Sequence, residues 1–72
     1  MKTKKVILSM FDYDANKIAL KRIERCGINI LQKTFDITFE RYDILMRVTQ
    51  EQAYKLLDLA NEIGAILWKG EH

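Results

Sequence analysis

The sequence predicts an α+β sandwich made of two β-α-β units, and three observations carry the prediction. The chain repeats itself: an apolar run from Val6 to Phe11 leads into an amphipathic stretch that ends at Gly27 and restarts as Ile28-Asn29-Ile30-Leu31. The second copy runs from Ile44 to Val48, through a helical stretch ending at Ile63, to Gly64-Ala65-Ile66-Leu67-Trp68. Aligned on the two glycines, Leu20 falls on Leu57, Ala19 on Leu56 and Ile23 on Ala60. Within each copy the apolar pattern passes from a short continuous run to a helical period and back, as a strand, a helix and a strand require. The third observation is that 72 residues with no proline and three glycines leave no linker between the copies, so residues 1 to 72 form one domain. Together these predict a ferredoxin-like βαββαβ sandwich, a four-stranded antiparallel sheet with two helices on one face.

Residues 5 to 11 read as a buried central strand, because a short continuous apolar run suits a strand covered on both faces. Asp12-Tyr13-Asp14 breaks it, and Asp14 is the expected N-cap of the first helix, its carboxylate accepting from free N–H groups of the first turn. Asn16, Ala19, Leu20, Ile23 and Cys26/Gly27 make one helical stripe, with Lys17, Lys21, Arg22 and Arg25 mostly outside it. Gly27 is expected to close the helix in the left-handed conformation, and Ile18, off the stripe, to meet another chain. Residues 28 to 49 hold two antiparallel strands, with the reversal between Asp36 and Tyr42 despite the absence of an Asn-Gly or Asp-Gly turn. Thr49-Gln50-Glu51-Gln52 fits a capping box, and Ala53, Leu56, Leu57, Ala60 and Ile63 or Gly64 form the apolar stripe that follows.

Composition narrows the functional classes. Apolar residues make up 49% and charged residues 31%, which argues for a folded globular domain, and a core this small gains from a partner or a second copy. Net charge is only +2, too little to imply nucleic acid or anionic lipid, and the basic cluster Lys2 to Lys5 reads as a solubilising lead into the first strand. A single cysteine excludes an internal disulfide and fits a reducing compartment. With neither a membrane-spanning apolar run nor a signal-peptide pattern, the expected location is the cytoplasm.

The faces of the sheet are the informative unknown. With Val6, Leu8 and Met10 inward, Ile7, Ser9 and Phe11 point to the open face. If Ile28 and Ile30 also face the helices, alternation sends Leu31, Phe35, Ile37 and Phe39 to the open face unless a bulge resets the register. An apolar open face predicts self-association, sheet on sheet or edge to edge, with Phe11, Ile18, Leu31, Phe35 and Leu45 as interface residues.

Catalytic and metal motifs do not stand out. Asp12, Asp14, Asp36, Glu40 and Asp43 gather at one end of the sheet without the spacing of a hard-cation site, and read as an N-cap plus a solvated hairpin. Cys26, at a helix C-terminus where the dipole disfavours a thiolate, reads as core filling; His72 is the terminal residue, in no position to act as acid, base or ligand. Nucleophile–base pairs, HExxH, CxxC and phosphate loops are missing, so neither an enzyme nor a cofactor is expected. RNA recognition modules share the topology, but Arg41-Tyr42-Asp43-Ile44-Leu45-Met46-Arg47-Val48 lacks the glycine and paired aromatics of their third strand, which argues against nucleic acid. Trp68 reads as packing or interface area.

The run Leu20-x-x-Ile23-x-x-x-Gly27-Ile28-Asn29-Ile30 resembles the ACT and ACT-like domains, in which an anchored helix enters a Gly-Ile-Asn-Ile type strand. That resemblance implies a small regulatory module, paired as a homodimer, that binds an amino acid or other small effector at the interface. The effector would meet Asp12, Tyr13 and Asn16 of the first loop and Ile28 and Asn29 of the second strand, with Asp12 and Asn29 as polar anchors and Tyr13 closing over them. The family's loop carries an Asp-x-Pro-Gly-like turn; here it reads Asp12-Tyr13-Asp14-Ala15, and only Asp12 matches. The competing expectation is a freestanding adaptor or inhibitor that binds a protein through its apolar sheet face or a strand edge.

Overall fold

A computed structural model describes residues 2–70, which form β1 (Lys4–Met10), α1 (Tyr13–Arg25), β2 (Asn29–Asp36), β3 (Arg41–Val48), α2 (Gln50–Ile63) and β4 (Ile66–Lys69). The strands make one antiparallel sheet in the order β2-β3-β1-β4, the ferredoxin-like arrangement. His72 lies outside the described residues.

Alternation along the two central strands builds the core. Val6 opposes Met46 and Leu8 opposes Ile44, and these four, with Met10 and Val48, are buried against the helices. The helices answer with Ala15, Ala19 and Ile23 from α1 and Ala53, Leu56, Leu59 and Ala60 from α2. Four alanines opposite large sheet residues let both helices sit close to the strands. The internal repeat shows in this core: Ala19 and Leu56 are both buried, as are Ile23 and Ala60, whereas Leu20 is half-buried and Leu57 exposed.

Helix ends are set by local hydrogen bonds. Asp12, not Asp14, is the N-cap of α1: its backbone is extended and its carboxylate accepts from the Asp14 N–H at 3.4 Å. The strand ends at Met10, one residue short of the expected Phe11, so the helix starts earlier and Asp14 falls in the first turn, where the dipole favours its charge. At the other end the Gly27 N–H donates to the Glu24 carbonyl and the Ile28 N–H to the Ile23 carbonyl, a Schellman closure that places Gly27 at φ +67°. Cys26, the cap before it, is exposed, which corrects its reading as core. In α2 the Thr49–Gln52 capping box forms in both directions. Its buried arc contains Leu59 in place of Leu57. Spacing from Ala53 admits Leu57 and spacing from Leu56 admits Leu59, but the sheet lies on the Leu56–Leu59 side, and Leu57 turns to the flank with Tyr54.

β2 carries the feature that sequence alternation could not resolve. Its pairing with β3 shifts between Ile30 and Gln32, leaving Leu31 as a bulge. Beyond the bulge, Gln32, Thr34 and Asp36 share the open face with Leu45, Asp43 and Arg41, while Lys33 and Phe35 move to the helix side opposite Ile44 and Tyr42. Phe35 therefore does not line the open face. Ile37 and Phe39 lie in the turn, held by the Asp36 carboxylate, which accepts from the Thr38 and Phe39 N–H groups at 2.9 and 3.3 Å. That side-chain-closed turn does the work of the missing Asn-Gly pair, with Glu40 supplying the positive φ.

Candidate functional site

The uncovered face of the sheet divides into two halves. On the β1–β4 side, Ile7, Leu45, Ile66 and Trp68 share the face, with Phe11 at its end. On the β2–β3 side the same face presents Gln32, Thr34, Asp36, Arg41, Asp43 and Arg47. The bulge at Leu31 is the cause, because it exchanged Phe35 for polar side chains.

A hydrogen-bonded chain joins the halves. The Trp68 indole Nε1–H donates to Ser9 Oγ at 2.9 Å, and Ser9 Oγ donates to Asp43 Oδ1 at 2.5 Å. Arg41 Nε donates to Asp43 Oδ2 at 3.1 Å, and the Arg41 guanidinium reaches Asp36 Oδ2 at 3.7 Å and lies 5.6 Å from the centre of the Phe39 ring. Ser9 is 2% exposed, so its hydroxyl depends on these protein partners. Between an N–H donor and a carboxylate acceptor, that hydroxyl is oriented, and it fixes the edge of the Trp68 ring. The ring face stays accessible.

Phe11, Ile66 and Trp68 are about half exposed, and with Ser9 and Arg41 they surround a shallow hollow of about 200 Å³. Ligand pockets run from about 300 to 1,000 Å³. The hollow is thus a seat for a protruding side chain or ring rather than for a whole ligand. Ile7 and Leu45 are half-covered by the backbone at Gly70, whose N–H donates to the Lys5 carbonyl at 3.1 Å.

The predicted effector residues do not converge in one protomer. Asp12, Tyr13 and Asn16 lie at the end of the sheet where Met10 opposes Tyr42; the Asp12 carboxylate caps α1, and Tyr13 packs on Tyr42 with ring centres 6.1 Å apart. Ile28 is a core residue, and Asn29 opposes Arg47 at the far end. Five steps along β3 separate Tyr42 from Arg47, about 17 Å at ~3.3 Å per residue. The predicted interface residues also separate: Phe11 and Leu45 belong to the open face, Leu31 to the β2 bulge and Phe35 to the helix side. Ile18 is exposed on α1, next to neither group: Arg22 binds Glu62 of α2 at 2.6 Å, and Ile18, one turn earlier, is on that α2-facing flank.

Ser9, Arg41 and Asp43 as a unit escaped the sequence reading, which had counted Asp43 only among the acidic residues. The signal was there: a serine inside the run Val6–Phe11 has to find a partner once buried. The acidic residues at this end have assigned contacts in Asp12, Asp36 and Asp43, and among the described residues no group of three or more His, Cys, Asp or Glu side chains is placed to hold a metal. Among the same residues no helix is long and apolar enough to cross a membrane. No family model, no curated protein and no solved structure matches this chain.

Proposed function

We propose that the chain is a small protein-interaction module that binds its partner through the β1–β4 half of the uncovered sheet face. One observation carries this reading: Phe11, Ile66 and Trp68 stand exposed together around a shallow hollow, on a base held rigid by the Trp68–Ser9–Asp43–Arg41 chain. Exposed aromatic area held in one orientation loses little entropy on binding, which is what an interface anchor needs. A side chain of the partner would enter the hollow, with the Arg41 and Asp36 rim giving register. An exposed free thiol at Cys26 suits a reducing compartment, and the cytoplasm is the proposed location.

A photo-cross-linking side chain introduced at Ile66, with a second at Lys21 on the outer side of α1 as control, tests the proposal in cells of the source. A discrete adduct from position 66 that is lost on Trp68→Ala supports it. Equal labelling from both positions contradicts it.

A regulatory role for the same module is the second reading, favoured by the exposure of Phe11, Asp12 and Tyr13 at the hairpin end of the sheet. Asp12 and Asn29 being at opposite ends, an amino-acid effector that touches both needs two copies of the chain. Amino-acid titration followed by amide shifts tests it: residues 11 to 16 and 28 to 29 should move together, and movement of one group alone rejects the shared site.

A further inference from the structure

β4 is an edge of the sheet, and the register fixes which of its main-chain groups are free. The Gly70 N–H donates to the Lys5 carbonyl, and in an antiparallel ladder pairs that exchange hydrogen bonds alternate with pairs that do not. Lys5–Gly70, Ile7–Trp68 and Ser9–Ile66 are therefore the bonded pairs, and the N–H and C=O groups of Leu67 and Lys69 point away from β1.

An apolar recess lies on each side of this edge. On the open face it is the hollow between Phe11, Ile66 and Trp68. On the helix side a second recess, of about 190 Å³, runs between β4 and the flank of α2, where Tyr54 and Leu57 stand exposed beside the half-buried Leu67. Trp68 lines both. The helix-side recess carries charge of one sign: Lys4 and Lys69 line it and no acidic residue does. Lys4 donates to the neutral Gln50 side chain at 3.0 Å, and the ion pairs among the described residues include neither lysine.

We infer that the β4 edge takes up an extended segment of the partner as an added antiparallel strand, with an acidic residue opposite Lys69 and apolar residues opposite Trp68, Leu67 and Ile66. The inference rests on the partner-binding reading above and gives that partner its chemistry. Antiparallel pairing lets Leu67 and Lys69 each exchange both main-chain bonds with one residue of the segment. Directly opposed residues share a face, so the segment's side chains alternate between the two recesses. Opposite Lys69 the side chain lies on the helix side, toward Lys4, which precedes Val6 by two residues on the same face, and a carboxylate there complements both charges. Opposite Leu67 an apolar side chain covers Tyr54 and Leu57. Opposite Trp68 and Ile66 the neighbouring side chains extend the wall of the open-face hollow. β4 itself carries no acid, so a second copy of this edge lacks the complement.

The probe is the capped peptide Ser-Ser-Glu-Ile-Val-Ile-Thr-Ser, titrated into the isotope-labelled full chain. The amide signals of Leu67 and Lys69 should shift and become protected from solvent exchange, with Tyr54 and Leu57 moving alongside and Lys21 on α1 unmoved. Lys69→Glu, at an exposed edge position, should leave far-UV circular dichroism unchanged and weaken this peptide about tenfold. The same variant should prefer the peptide that has lysine in place of its glutamate. Shifts confined to Ile66 and Trp68 keep the open-face reading and overturn the inference. Equal affinity of the two peptides for the wild-type chain, or no amide shift at millimolar peptide, overturns it as well, and the adduct from position 66 then judges the open-face reading separately.

Discussion

Replacing Ser9 by alanine removes one hydroxyl and cuts the chain from Trp68 to Asp43 at its buried link. The hydroxyl makes two hydrogen bonds, at 2.9 Å from the indole and 2.5 Å to a carboxylate, with Ser9 itself 2% exposed. A neutral bond contributes about 0.5–1.5 kcal/mol net and one to a charged group about 1.5–3. Asp43 keeps its bond from Arg41, and the half-exposed Trp68 can recruit water, so much of the loss is compensated. The expected destabilisation is about 1–2 kcal/mol, below the summed range of about 2–4.5 because of that compensation. Urea unfolding followed by the fluorescence of Trp68, the only tryptophan, measures it, and native-state emission should shift to the red as the ring loses its anchor. The cycle Ser9→Ala, Trp68→Phe and the double variant, followed by circular dichroism, should give a coupling of about 0.5–1.5 kcal/mol. An unchanged midpoint with unchanged emission would refute the claim that this chain of bonds holds the face rigid.

Other substitutions probe the frame that carries the face. Leu56→Ala, at a fully buried α2 position against the sheet, should cost about 2–5 kcal/mol, a large part of the total stability of a domain this size, and leave a chain with a broad or absent thermal transition. Thr49→Ala removes the half of the capping box that the threonine hydroxyl makes, leaving the Thr49 N–H bonded to the Gln52 side chain, and should lower stability by about 1 kcal/mol in urea titration, with Thr49→Asp recovering most of it. Gly70→Ala places a Cβ 2.6 Å from Leu45 Cδ1 and 3.2 Å from the Val6 carbonyl carbon; the leucine tip can turn away but the backbone cannot, so about 1–3 kcal/mol should be lost.

How far the sequence disclosed this molecule depends on which physical effect was at stake. Patterns that rest on burial were legible: Val6, Leu8 and Met10 alternate as a strand must, and the two glycines mark equivalent helix ends, Gly27 at φ +67° and Gly64 at φ +71°. The Thr49–Gln52 box was legible because capping is chemistry between near neighbours. Features decided by one residue of phase were not. Leu31 is an ordinary strand residue, and nothing in its type announces that it is the bulge that turns Phe35 to the helix side. Asp12 and Asp14 are both good caps, and the point at which β1 ends decided between them. Leu57 and Leu59 both fit an apolar arc until the position of the sheet is known.

The candidate site was legible only in pieces. Trp68, Phe11 and Leu45 stood out as apolar residues in need of a surface, yet the bond from Trp68 to Ser9 spans 59 positions and that from Ser9 to Asp43 spans 34. Only the antiparallel register, with Ser9 between Asp43 and Ile66, brings them together. The same register separates Asp12 from Asn29, which a resemblance over ten residues could not foresee.

The proposed partner-binding face around Trp68 is the centre of this account, and cross-linking from position 66 with and without Trp68→Ala tests it most directly. A discrete adduct should form from position 66 and be lost on Trp68→Ala, while a cross-linking side chain at position 21 on α1 should give none. Equal labelling from positions 66 and 21, or an adduct that survives Trp68→Ala, would contradict the account.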